Sequence, residues 1–305
     1  MTLVIDAHAH VFVAASSSPR GIDDLAPEAR IAPIGAYRER LAEQGIDGAV
    51  LVPLDSHDDY VSTVAKELPG SFATVAVASP AEQGRGGVDP VDALRARHEG
   101  FPFRALRTMW LGDPGTALAD SPMLPALRYL AGQGIALWSY LPPEQTSLLD
   151  ELGALVPDLA VVLNHLGFAP HDMTVDEHRR PRFTDPLPEE ELTRIERLAR
   201  HRRFHLMFSG HYALSADAYP YVDLHGAGAR LVDAFGADRT LWGSDSPWID
   251  DVPGYAATHE IVDRTLPGLS ADDSALILGG TVARLLSLSD DRRTDDRDTD
   301  ASRTA

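Results

Sequence analysis

The chain contains no cysteine, which excludes disulfides and thiolate metal ligands and leaves His, Asp and Glu as the strong ligands available. No apolar run approaches the roughly 18 residues that a membrane-spanning helix requires. Basic residues are outnumbered, 27 Lys and Arg against 46 Asp and Glu, for a formal charge of −19. Neutralising a nucleic-acid backbone takes clustered cations, so that class of partner is disfavoured. An anionic small molecule would need a local arginine pocket working against the global field. The start, MTLVIDAHAH, lacks the basic and apolar segments of a secretory signal, so the cytoplasm is the expected location. No G-x-G-x-x-G follows the first apolar run, which removes the main reason to expect a dinucleotide.

What is present is a rhythm. Short apolar, β-branched runs recur at residues 3–7, 48–53, 72–78, 103–110, 134–141, 159–164, 204–210 and 239–245. Helix-like segments fill most gaps, among them 33–45, 121–134 and 188–204. Eight such units predict an α/β fold, a (β/α)8 TIM barrel over residues 1–288, in preference to an open sheet. Gly45 and Gly134 each stand before an Ile that opens the next strand, the C-cap chemistry expected of an αβ loop. The stretch 167–190, rich in Pro and charge, is long for a βα loop and is a candidate lid or specificity loop. The polar tail 289–305 has no apolar residue larger than alanine and is expected to be disordered.

Barrel chemistry is built at the C-terminal ends of the strands, which directs attention to what each end offers. The first strand ends in His8 and His10, whose i, i+2 spacing points both imidazoles the same way. The fourth carries Arg104 and Arg107; an arginine inside an otherwise apolar strand is expected to face inward and be paired. The fifth offers Trp138, Ser139 and Tyr140, the sixth Asn164 and His165, the seventh Ser209, His211 and Tyr212, and the eighth Ser244, Asp245 and Ser246. An H-x-H pair alone recurs by chance, and Asp245 before Ser-Pro would also suit a helix N-cap. The order of the motifs argues for a site. The remaining histidines lie mostly on helices or in loops and read as structural or solvated.

H-x-H after strand one, His after strand six and WGSDSPW after strand eight resemble the amidohydrolase superfamily. The similarity is greater to its amidohydrolase-related branch, which holds aminocarboxymuconate-semialdehyde decarboxylases and 2-pyrone-4,6-dicarboxylate lactonases. The resemblance implies a distorted (β/α)8 barrel from about residue 3 to residue 286. For the metal-dependent members it implies His8, His10 and Asp245 as ligands of one zinc or manganese ion, with His165 handling protons. The strand-five histidine of those members has no counterpart in ALWSYL. Lactonases of the branch keep the histidines and the aspartate yet work without metal, so the cofactor is either none or one divalent ion.

The lactonase likeness also implies Arg104 and Arg107 as carboxylate ligands and Tyr140 as a further substrate contact, with His211 and Tyr212 nearby. The leading expectation is therefore a hydrolase of a small carboxylated lactone, with Asp245 as general base and His8, His10 and His165 stabilising the oxyanion. The alternatives are a metal-dependent non-oxidative decarboxylase of an unsaturated or aromatic acid, and a barrel that binds without catalysing. A small carboxylated substrate is the expected partner, and a homodimer the expected assembly.

Overall fold

A computed structural model describes residues 2–288; the tail 289–305 lies outside them. Eight parallel strands form one sheet in the order β1 (Ile5–Ala9), β2 (Gly48–Leu51), β3 (Phe72–Val77), β4 (Ala105–Thr108), β5 (Ala136–Ser139), β6 (Val161–Leu163), then, after the short antiparallel pair β7 (Thr174–Val175) and β8 (Pro181–Arg182), β9 (Phe204–Phe208) and β10 (Thr240–Trp242). Seven of the eight apolar runs contain a barrel strand whole, and the first, 3–7, overlaps β1, which continues to Ala9. The hairpin β7–β8 sits inside the 167–190 stretch and has no alternating pattern that would announce it.

Helices α1 (Ile34–Gln44), α2 (Asp59–Glu67), α3 (Pro90–Gly100), α4 (Leu124–Gln133), α5 (Leu148–Leu155) and α6 (Glu189–Leu198) follow the first six barrel strands. Most present an apolar stripe to the sheet, as Leu192, Ile195 and Leu198 do at helical spacing on α6, whereas α3 buries Leu94 alone. Gly45 and Gly134 end α1 and α4 at φ 64° and 68°. There the next amide, of Ile46 or Ile135, returns to the helix at Leu41 or Leu130. This is the predicted left-handed cap, which a side chain would strain.

The apolar residues divide into two buried sets. Leu106, Leu137, Leu163, Phe208 and Trp242 face the helices. Ala105, Ala136, Trp138, Val162, Met207 and Leu241, one residue away along the same strands, fill the barrel interior. Strand alternation makes this division, so the barrel is a packed core with its chemistry confined to the mouth.

The sheet closes between β10 and β1 without a regular ladder. Asp245 N–H donates to the His8 carbonyl at 2.8 Å and His10 N–H to the Ser246 carbonyl at 2.8 Å. Beneath them, Asp6 accepts from the Ser244 amide (2.8 Å) and hydroxyl, and from the hydroxyls of Tyr37 (2.7 Å) and Tyr255 (2.8 Å). Gly279, in the π-helical turn Leu276–Gly280, packs against the start of β1 so closely that a Cβ would overlap the Leu3 carbonyl oxygen. No helix among the described residues is long and apolar enough to cross a membrane.

Candidate active site

At the C-terminal mouth of the barrel, His8, His10, His165 and Asp245 come together from β1, from the end of β6 and from beyond β10. Asp245 Oδ1 lies 3.6 Å from His8 Nε2 and 3.3 Å from His10 Nε2, and Oδ2 lies 3.7 Å from His165 Nε2. The rings of His10 and His165 stand 5.0 and 5.3 Å from that of His8, edge to face. Tyr212, on the short helix α7 (His211–Leu214), donates its hydroxyl to Asp245 Oδ2 at 2.6 Å. Ser209 Oγ lies 2.9 Å from His165 Nδ1. Tyr140 sets its ring 5.5 Å from His165, and Arg107 places its guanidinium 4.7 Å above the Tyr140 ring.

Local backbone irregularities aim these side chains. Along β1, Ile5 and Ala7 fill the barrel interior, whereas Ala9 belongs to the outer layer. The pairing explains the change of phase: Asp6 opposes Ala49 and Ala9 opposes Leu51, so β1 carries one extra residue, a β-bulge. Without the bulge His8 would face outward with Asp6. His165 follows Asn164, the next inward position after Val162, and would also face outward. A left-handed backbone at φ 46° returns it to the mouth, and Asp245 sits at φ 61°. Asp and His tolerate this region better than most residues, and such strain concentrates at functional sites.

The electrostatics are those of a group awaiting a positive or polar partner. His10 Nδ1 lies 2.8 Å from the Val52 carbonyl, which can only accept, so that nitrogen donates there and Nε2 faces Asp245; a neutral ring would present a lone pair to the carboxylate. Lone pair and carboxylate face each other comfortably only with a proton or a cation between them. Both nitrogens of His8, and Asp245 Oδ1, are buried without a hydrogen-bond partner. Burial pushes His8 well below the ordinary imidazole value and His165 down to about 4. Asp245 is held below the ordinary carboxylate value: burial opposes ionisation, but His165, His10 and His8 together outweigh it.

His8, His165 and Asp245 offer ligand atoms that all lie within 4.8 Å of one another. With His10 they make a nitrogen and oxygen donor set of the kind that suits zinc or manganese, so the residues fit one divalent ion. His165, expected to handle protons and able in principle to supply a further ligand, thereby stands among the atoms that could hold the ion.

Two predicted substrate contacts are not brought to this group. Arg104 is exposed and lies before β4, at the opposite end of the barrel, where its backbone pairs with Thr74 and Ala136. Its i, i+3 spacing from Arg107 also turns the two side chains to opposite faces of the strand, so the expected arginine fork is not formed. His211 packs on Phe208 at 4.5 Å and near Tyr221, lining a cleft with Tyr219 and Pro253 outside the His–Asp group. Arg107 was expected to be paired, yet its Nε is buried and unpartnered. Burial lowers its pKa, against the attraction of Tyr140 and Asp245. Asp6 was missed. A charged residue inside the first apolar run was the available signal.

The mouth is covered. None of His8, His10, Arg107, His165, Tyr212 and Asp245 exceeds 9% exposure. Trp248 lies 5.9 Å from His10, Arg30 stacks on Trp248 at 4.7 Å, and Arg30 also donates to the Arg179 carbonyl in the 167–190 loop. Phe183, from the same loop, packs on Phe168 at 4.8 Å. Gly243 leaves room for β1, since a Cβ there would lie 2.9 Å from His8 Cβ. Gly243→Ala is expected to shift His8 and lower kcat/KM about 100-fold, because small misplacements in a site are costly. Steady-state kinetics with an unchanged circular dichroism spectrum checks this.

An amidohydrolase family model matches residues 5–288. No curated protein sequence matches the chain. Among solved structures, a Pseudomonas putida protein named for 2-pyrone-4,6-dicarboxylic acid hydrolysis is similar at 22% identity and TM-score 0.71, covering 95% of this chain and 99% of its own. An amidohydrolase from Burkholderia multivorans with bound zinc matches at 20% identity and TM-score 0.72, covering 94% and 100%. A dihydroxybenzoic acid decarboxylase from Polaromonas sp. JS666 with bound manganese and the inhibitor 2-nitroresorcinol matches at 15% identity and TM-score 0.64, covering 96% and 100%. At these identities the likeness speaks to the fold.

Proposed function

The chain belongs to the amidohydrolase family, and from that premise we propose that it hydrolyses a small carboxylated cyclic ester, a lactone. The observation that carries this reading is Arg107, a buried guanidinium without an ion pair among the described residues, which lies within electrostatic reach of Asp245, a carboxylate with one unpartnered oxygen. A buried cation of this kind suits a substrate carboxylate, which it can bind through two parallel hydrogen bonds.

Tyr212 occupies Asp245 Oδ2, which leaves Oδ1 to take a proton from water as the water oxygen bonds to the ester carbonyl carbon. The ring C–O bond then breaks and the proton passes to the departing oxygen. One molecule results, bearing a new hydroxyl and a new carboxylic acid, which releases its proton to solvent as it becomes a carboxylate. His165 is neutral near pH 7, and with Ser209 donating to Nδ1 its Nε2–H is a donor for the oxyanion that forms on the carbonyl. A divalent ion held by His8, His165 and Asp245, beside His10, would take the place of that donor, supplying positive charge and lowering the pKa of water there. The 167–190 loop acts as the cover that admits the substrate and then excludes bulk water.

The unpartnered atoms of His8 and Asp245 also favour a second reading, a metal-dependent decarboxylase of an unsaturated or aromatic acid. A panel of carboxylated lactones assayed for proton release, beside a panel of such acids assayed for carbon dioxide, separates the two. Lactone opening is the expected result. Carbon dioxide release without lactone opening, lost to a chelator and restored by zinc or manganese, overturns it.

A further inference from the structure

Three consecutive strands direct buried polar groups into the barrel where no side chain answers them. Arg107 on β4 and Trp138 on β5 are register partners. Asn164 follows β6 in extended backbone at φ −64°, ψ 147° and continues the inward alternation of Ala160 and Val162. Arg107 Nε, Trp138 Nε1 and both Asn164 amide atoms, Nδ2 and Oδ1, are buried without hydrogen-bond partners. Trp138 stands beside Arg107 in register, and Asn164 lies two residues beyond Val162, the register partner of Trp138, so the three residues share the inner face of neighbouring strands on the side of the mouth. Nine in ten or more buried polar groups are satisfied in folded proteins, so three neighbouring exceptions at a mouth indicate a missing partner.

Counting donors and acceptors defines that partner. Arg107 Nε and Trp138 Nε1 carry one N–H each and can only donate, and Asn164 Nδ2 carries two. A carboxylate offers about four lone-pair sites to such a set. Asn164 Oδ1 is the lone acceptor among these atoms and calls for a donor close to that carboxylate. Opening of a carboxylated lactone frees a hydroxyl on a molecule that keeps its original carboxylate, and such a molecule supplies both.

We propose that Asn164 is a specificity-determining residue that reads a hydroxyl adjacent to the carboxylate seated on Arg107, so that the site prefers hydroxy acids to their deoxy analogues. This rests on the part of the functional reading that seats a carboxylate on Arg107. A site built to hydrogen-bond a hydroxyl rejects the analogue without it, because its own polar atoms are then left unpaired.

The test is isothermal titration of the full chain with malate and with succinate, which differ by one hydroxyl, with and without chelator, for the natural protein and for Asn164→Leu and Arg107→Gln. Malate is expected to bind about tenfold or more tightly than succinate, with the preference kept in chelator. Asn164→Leu is expected to abolish the preference while succinate still binds. Its melting temperature should hold or rise, since an unbonded buried amide is removed; a structural asparagine would lower it. Arg107→Gln is expected to weaken both ligands. Equal binding of the two acids by the natural protein overturns the role of Asn164 and leaves the carboxylate reading standing. A preference that disappears in chelator, or that survives in Asn164→Leu, does the same. Failure of both acids to bind overturns the carboxylate reading and this inference with it.

Discussion

Replacing Asp245 with asparagine lowers kcat/KM about 10³ to 10⁴-fold, toward the upper end of what a positioned general base contributes. The carboxylate lies within 3.3 to 3.7 Å of all three imidazoles. Asparagine keeps an oxygen for the Tyr212 hydroxyl and tolerates the left-handed backbone at φ 61°. Alanine would keep neither, so Asp245→Asn separates the loss of charge from the loss of shape. The expected profile is a loss in kcat, a melting temperature within a few degrees of the natural protein, and malate affinity changed less than about threefold. A loss below tenfold in kcat/KM removes Asp245 from the role of base. Binding without any turnover in the natural protein would favour a barrel that has lost catalysis.

The second large effect is on stability. Asp6 is fully buried and holds both edges of the closing seam, taking hydrogen bonds from Ser244 on the β10 side and from Tyr37 and Tyr255 in the outer layer. Burial raises its pKa, against the pull of the Ser244 and tyrosine hydrogen bonds. Asp6→Ala leaves two tyrosine hydroxyls and the Ser244 amide without an acceptor in a place water does not reach. Each orphaned buried donor costs about 1 to 3 kcal/mol. The expected loss is about 3 to 5 kcal/mol, since neighbouring groups relax in part. Urea unfolding monitored by circular dichroism measures it, with Asp6→Asn, which keeps one acceptor, falling between the two. A loss under 1 kcal/mol would show that the seam is held by its backbone bonds alone. Because His8 and Asp245 are themselves linked across this seam at 2.8 Å, activity should fall with stability in the alanine variant.

The place of each barrel strand was legible because a strand buried on both faces is a continuous apolar run, and eight of them separated by amphipathic segments leave few alternatives. The glycine caps were legible for a similarly local reason: only glycine is at ease at the φ values of Gly45 and Gly134. Arg104 and Arg107 stand in one motif, and nothing local says that the strand begins after the first of them. Two residues of shift in the start of β4 decide which arginine reaches the mouth. Asn164 stood beside His165 in the sequence as one more polar residue. Its missing partners are a property of the packed interior.

The chain's own residues therefore determined the eightfold βα alternation, and they put forward the strand ends and His8, His10, His165, Tyr212 and Asp245 as candidates for chemistry, because each rests on local pattern. The tertiary structure decided which way they face. One extra residue in β1 turns His8 and His10 inward, left-handed turns redirect His165 and Asp245, and the Asp6 seam brings the two ends of the sheet together. Bulges and closure depend on pairing between strands far apart in the chain, and no single segment carries that information.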